Sequence, residues 1–139
     1  MNIVIYHNQD CGNSRNVLAL VEACGYTPTI IDYRQEGWTR SQLLGLLAAA
    51  NLTPRSALRE TKSPAKELGL LEGGVSDAIL IEQMVRHPIL VNRPIVCTLK
   101  GVRLCRPSET VLLLLDRLPS KPFVKEDGTI LDVSVYSSQ

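Results

Sequence analysis

Apolar positions along this chain change period several times, and each change marks an element. Asn2 to His7 (NIVIYH) is a short β-rich run that ends in the turn formers Asn8, Asp10, Gly12 and Asn13. From Ser14 onward Val17, Leu18, Leu20, Val21 and Cys24 recur at helical spacing, and Gly25 stands where a helix stops. PTIIDY (Pro28 to Tyr33) is a second β-like run. Reached through a helix, it is expected to lie parallel to the first, with a right-handed connection. The middle of the chain predicts helices. Leu43, Leu44, Leu46 and Leu47 follow candidate caps at Thr39 and Ser41, and Thr53-Pro54 and Ser63-Pro64 each pair an N-cap residue with proline at the first position of a short helix. Ser76-Asp77 opens another helix through Ile79, Leu80, Met84 and Val85 to a stop at His87-Pro88. The period then returns to two. Arg93 to Cys97 and Val102 to Arg106, with a turn around Lys100-Gly101, predict an antiparallel hairpin. A last helix after Pro107-Ser108 carries Val111 to Leu115 and ends by Pro119, and from about residue 120 a more polar tail follows, with a turn at Asp127-Gly128 and fraying towards Gln139.

The order is therefore β-α-β, a helical insertion around 39–87, then β-β-α. It predicts a thioredoxin-like α/β fold, a mixed sheet of about four strands with helices on its faces. No repeat or low-complexity linker interrupts the 139 residues, so one domain over 1–139 is expected. With 15 Lys and Arg against 14 Asp and Glu, the net charge of +1 supplies no broad positive field for nucleic acid or an anionic membrane. Any anion site must be local. MNIVIYHNQDC carries no basic leader or signal-length apolar run, and Val111 to Leu115 is too short to span a bilayer, so a cytoplasmic monomer without a tightly bound cofactor is the expectation.

Four cysteines, Cys11, Cys24, Cys97 and Cys105, could form two disulfides, but a chain this rich in Leu, Ile and Val needs no such staples. Their spacings supply no paired C-x-x-C zinc ligands, and His7 and His87 are the only histidines, so no metal site is expected and the thiols read as free. Cys24 follows a Leu/Val/Ala run and Cys97 follows Ile95-Val96, which predicts small core residues. Cys11 differs, because it sits in a loop that leads from a strand into a helix. Unpaired N–H groups and the positive end of the helix dipole stabilise a thiolate there. Arg15, a Ser14 hydroxyl and His7 at the end of the strand are further groups that could lower its pKa. C-G-N-S-R looks like a thioredoxin C-x-x-C with Ser14 in place of the second cysteine. A C-x-x-S site waits for an outside thiol to resolve its mixed disulfide. Cys24 lies roughly 20 Å further along the helix at about 1.5 Å per residue, so a thiol such as glutathione is implied. Arg59, Arg93 and Arg106 stand at a helix end, a strand entry and its partner's exit, where planar guanidinium forks suit a tetrahedral oxyanion. Sequence alone does not gather them.

Those residues resemble a known family, the glutaredoxin-dependent arsenate reductases of bacteria. The resemblance begins at IYHNQDCGNSRN (Ile5 to Asn16), recurs at RSALRE (Arg55 to Glu60), is densest in HPILVNRPIV (His87 to Val96) and GVRLCRPSE (Gly101 to Glu109), and extends into the tail at KEDG (Lys125 to Gly128). It implies that Cys11 attacks arsenate, that Arg59, Arg93 and Arg106 bind the oxyanion, and that His7 and Ser14 support the thiolate. It further implies that glutathione adds to the arsenic and that glutaredoxin reduces the mixed disulfide to release arsenite. Gln9-Asp10 depart from the family, which often has proline and a small residue there, and Asp10 puts a negative charge beside the thiolate. A general glutaredoxin-like oxidoreductase, or a thioredoxin-fold regulator that does not reduce arsenate, is the alternative, and neither needs three arginines. A low-molecular-weight phosphatase loop would place five residues between its Cys and Arg, whereas Cys11 and Arg15 enclose Gly12, Asn13 and Ser14 alone.

Overall fold

A computed structural model describes residues 1–136. The fraying expected towards Gln139 falls partly outside them. Two compact units divide the chain: Met1–Asp32 with the chain from Arg93 onward, and Tyr33–Asn92.

The first unit is built on a four-stranded mixed sheet. Strand β1 (Val4–His7) runs into helix α1 (Gly12–Ala23), which returns the chain to β2 (Thr29–Asp32). As expected of a strand–helix–strand connection, β2 pairs parallel to β1, from Val4 opposite Thr29 to His7 opposite Asp32. The chain re-enters the unit at Arg93. The predicted hairpin forms β3 (Ile95–Thr98) and β4 (Gly101–Leu104), with β3 antiparallel to the other side of β1. The sheet order is β2-β1-β3-β4, which makes β1 an interior strand and brings its C-terminal end beside the entry to β3. Alternation does the rest. Ile3, Ile5 and His7 fall on one buried face, and α1 meets the core with Val17, Leu20, Val21 and Cys24. Ser14 lies in the same buried row, one turn ahead of Val17.

The last predicted helix is a 3₁₀ segment, Ser108–Leu114, and not an α-helix. Its burial has period three. Ser108, Val111 and Leu114 form one buried row and Leu112 and Leu115 a second, as expected where residues three apart eclipse. The tail carries a small antiparallel hairpin, β5 (Phe123–Val124) with β6 (Ile130–Leu131), which the polar composition did not predict. Its turn contains the expected Gly128, at φ +88°, and Leu131 joins the core.

In the second unit Tyr33 leaves the strand assigned to it and opens a single helical turn, α2 (Tyr33–Glu36). Its ring stacks on Trp38 with centroids 5.3 Å apart and its hydroxyl donates to the Val91 carbonyl, so burial of a large aromatic overrides its β preference. Helix α3 (Arg40–Ala49) begins at the predicted Thr39, whose capping box with Gln42 is complete. Thr53 caps α4 (Pro54–Ala57), a single turn with its own box to Ser56. Ser63-Pro64 starts no helix. The chain there closes after one turn, with Leu70 N–H bonded to the Ala65 carbonyl and Gly69 N–H to the Lys66 carbonyl, and Gly69 at φ +73° ends it. Ser76 caps α5 (Asp77–Arg86), which ends before Pro88 as predicted. Helices α3 and α5 pack together, burying Leu43, Leu47, Leu80, Ile81 and Met84.

No helix among the described residues is long and apolar enough to cross a membrane.

Candidate active site

Cys11 is the N-cap of α1, in extended backbone at φ −104°, ψ 121°. Its N–H donates to the Asn8 carbonyl at 3.0 Å and its carbonyl accepts the Arg15 N–H at 3.0 Å, so the residue is held on both sides as the strand becomes a helix. The residue is 7% exposed. Burial pushes its pKa up. The Ser14 backbone N–H, the charge and hydrogen bond of Arg93, and the Asn13 backbone N–H outweigh that effect and bring it down to about 7. A large fraction is then thiolate near neutrality.

The stabilising groups are not all those the sequence suggested. Ser14 does not donate its hydroxyl to the sulfur. Its Oγ, turned into the buried face of α1, accepts the Asn8 N–H at 3.4 Å, and it is the Ser14 backbone N–H that reaches Cys11. Arg15 is engaged elsewhere, with Nε and Nη2 on the Glu126 carboxylate and Nη1 on the Gln9 carbonyl. Asp10 is exposed, and its N–H donates to Asn8 Oδ1. Its charge does not prevent the low thiol pKa. His7 is buried at the end of β1, opposite Asp32.

Arg93 and Arg106 are brought together. Arg93 stands at the entry to β3 with its side chain on the Cys11 sulfur. The exposed Arg106 follows β4 and donates from Nη1 to the Arg93 carbonyl at 3.1 Å. The hairpin register produces this pairing: Ile95 lies opposite Leu104, so the residues flanking those ends are neighbours. Both arginines precede cis prolines, Pro94 and Pro107. The Arg93 fork and the first N–H groups of α1 therefore meet at one ionisable thiol, with Arg106 bonded to the backbone of Arg93, an arrangement suited to holding an oxyanion while sulfur attacks its centre. Arg59 belongs to the second unit, after α4. It is buried, with Nε on the Thr61 carbonyl at 3.0 Å and its N–H on the Leu90 carbonyl at 2.7 Å.

The other three thiols are free but inert by comparison. Burial raises Cys24 to about 11 and Cys105 to about 12, and raises the half-buried Cys97 as well. Two contributors escaped the sequence reading. Asn13 ties the loop to the end of β4 by donating from Nδ2 to the Cys105 carbonyl at 2.7 Å, and Asn8 is the buried hinge of the loop. Both were visible only as turn formers.

The chain is 70% identical to an arsenate reductase of Synechocystis sp. over 129 residues, covering 93% of this chain and 92% of that protein. It is 49% identical to the arsenate reductase of Escherichia coli over 127 residues, 91% of this chain and 90% of that one. The solved structure of an arsenate reductase from Vibrio cholerae superposes with a TM-score of 0.77 at 38% identity, covering 83% of this chain and 98% of that one. The ArsC family model matches residues 6–114, a span that opens on the strand delivering Cys11, takes in Arg93 and Arg106, and closes at the last turn of the 3₁₀ segment behind them. The sheet is thioredoxin-like, as in the solved relative, and the protein belongs to the ArsC family.

Proposed function

We propose that this protein reduces arsenate to arsenite, with Cys11 as nucleophile and glutathione and glutaredoxin as the reducing partners. The observation that carries the reading is the Cys11 thiol, brought to about 7 by backbone N–H groups and by Arg93, with Arg106 bonded to the Arg93 backbone. The Cys11 sulfur attacks arsenic and one oxygen leaves as water. Arg93 and Arg106 hold spectator oxygens and offset their charge as the S–As bond forms. Glutathione then adds to the arsenic, and the two thiols become one mixed disulfide as As(V) gains two electrons and becomes arsenite. Glutaredoxin reduces the disulfide and restores Cys11. An outside thiol is needed because Ser14 replaces a resolving cysteine and Cys24 caps the far end of α1. Arg59, which the resemblance also implies as an oxyanion ligand, enters as a third arginine with its own test. A general thiol oxidoreductase is not favoured, because relatives named arsenate reductases share 47–70% identity with the chain.

Purified protein supplied with arsenate, glutathione and glutaredoxin should form arsenite, and omission of any one component should stop it. Arg59→Ala should raise the arsenate requirement. Turnover that continues without glutaredoxin would remove that partner, and failure of the complete mixture would overturn the function.

A further inference from the structure

The KEDG turn extends the family resemblance past the reacting groups, yet none of the chemistry above uses it. Its place in the fold is against the nucleophile's loop. Arg15, in the first turn of α1, folds its guanidinium back over the start of the helix. Nη1 donates to the Gln9 carbonyl at 2.7 Å, while Nε and Nη2 donate to the two carboxylate oxygens of Glu126 at 2.8 and 3.0 Å. The Glu126 N–H donates in turn to Asn16 Oδ1 at 3.0 Å. The adjacent Lys125 pairs with Glu109 at 2.9 Å, which ties the β5–β6 turn to the 3₁₀ segment as well. The Arg15–Glu126 pair lies directly over Gly12, the residue after the nucleophile: a Cβ there would stand 3.6 Å from Arg15 Nη2 and 3.6 Å from Glu126 Oε1.

We propose that Glu126 is a positioning residue for Cys11: by holding Arg15 on the Gln9 carbonyl, the C-terminal hairpin fixes the Asn8–Cys11 loop and aims the sulfur at the N–H groups of α1. A lone exposed arginine samples many rotamers, and an exposed ion pair by itself contributes little. Here the guanidinium fork is matched by both carboxylate oxygens, and the carboxylate is carried on a turn anchored by its own backbone and by Lys125, so the orientation is imposed from outside the loop. The charges around this end of α1 are Arg93 before β3, Asp10 in the loop, and Arg15 with Glu126. The inference rests on the reading of Cys11 as the nucleophile.

The test uses the whole protein and two readouts: the pH dependence of Cys11 alkylation by iodoacetamide, resolved by mass spectrometry, and arsenite formation. Glu126→Ala should raise the Cys11 midpoint by about 0.5 in pH and lower kcat about threefold to fivefold, with little change in the arsenate KM, the scale expected of one exposed bidentate contact. Glu126→Gln, which keeps one of the two acceptors, should recover part of both. Arg15→Ala should match Glu126→Ala, and the double variant should be no worse than Arg15→Ala alone, because the two residues act as one. A Cys11 midpoint that stays put or moves down in Glu126→Ala overturns the proposal, as do strictly additive losses. So does a lower melting temperature with an unmoved midpoint, which would make the hairpin a fold stabiliser only. If the midpoint shifts while the parent forms no arsenite, the positioning role stands and the proposed function falls.

Discussion

Helix α1 carries a cysteine at each end, and the two ends differ in chemistry although their surroundings are alike in two respects. Cys11 caps the start at 7% exposure and Cys24 caps the finish at 4%. Burial pushes both thiols up, and an arginine lowers each, Arg93 in one case and Arg117 in the other. The outcomes are about 7 and about 11. What separates them is hydrogen bonding to sulfur. At the N-terminal end the Ser14 and Asn13 N–H groups point at it, whereas at the C-terminal end the spare groups are carbonyls, which offer a thiolate nothing. Arg117 is also engaged, over the Tyr26 ring at 4.1 Å and on the Gly25 carbonyl at 3.2 Å. A buried thiol beside a cation is therefore not yet a nucleophile, and donors aimed at the sulfur decide the difference.

The harshest way to break the comparison is to remove each sulfur. Cys11→Ser should cost at least about a thousandfold in arsenite formation while the protein stays folded, as is typical when a nucleophile is lost. Cys24→Ala should change turnover less than about threefold, acting through packing alone. Comparable losses from both would end the distinction. Titration sharpens it next. Alkylation of Cys11 should be half-maximal near pH 7 and that of Cys24 near pH 11, read from the same digests.

Arg93→Ala should slow arsenite formation about a hundredfold and raise the Cys11 midpoint, and Arg93→Lys should restore the charge but only part of the rate, since an ammonium lacks the planar fork. Exchange of Cys11 with a small neutral disulfide should fall much less, because that reaction has no oxyanion to hold. Equal losses in both assays would mean that Arg93 serves the thiolate alone.

The smallest effect is on stability. Cys11 ionises more readily folded than unfolded, so its contribution should be lost as pH falls through about 7 and be complete above the ordinary thiol value of about 8.5. Screening by nearby solvent leaves this on the order of 1 kcal/mol. Cys24 has the opposite sign, and its contribution should disappear as pH rises from about 8.5 towards about 11. Urea unfolding at a series of pH values, with Cys11→Ser and Cys24→Ala beside the parent, would separate the two slopes.

Much of the architecture was legible because its causes are local. The β-rich run NIVIYH, period 3.6 from Val17 to Cys24, and the caps at Thr39, Thr53 and Ser76 are properties of neighbouring residues, and each produced its element. Errors arose where packing overrides local preference. Tyr33 exchanged a strand for a stack on Trp38, Ser63-Pro64 closed one turn at Gly69, and the unbroken run Val111 to Leu115 hid the period three by which it is buried.

The chain by itself determined that a thiol would stand between strand and helix, since turn formers before a helix start leave N–H groups unpaired whatever else the fold does. Only the tertiary structure decided which charges would join it. Arg93 rather than Arg15 meets the sulfur because β3 pairs with β1 at the end where the loop begins, and Arg106 follows because β4 pairs with β3. Arg15 turns instead to Glu126, 111 positions away. Charge and donor geometry act over a few ångströms of space, and strand register and a docked hairpin set those distances, not separation along the chain.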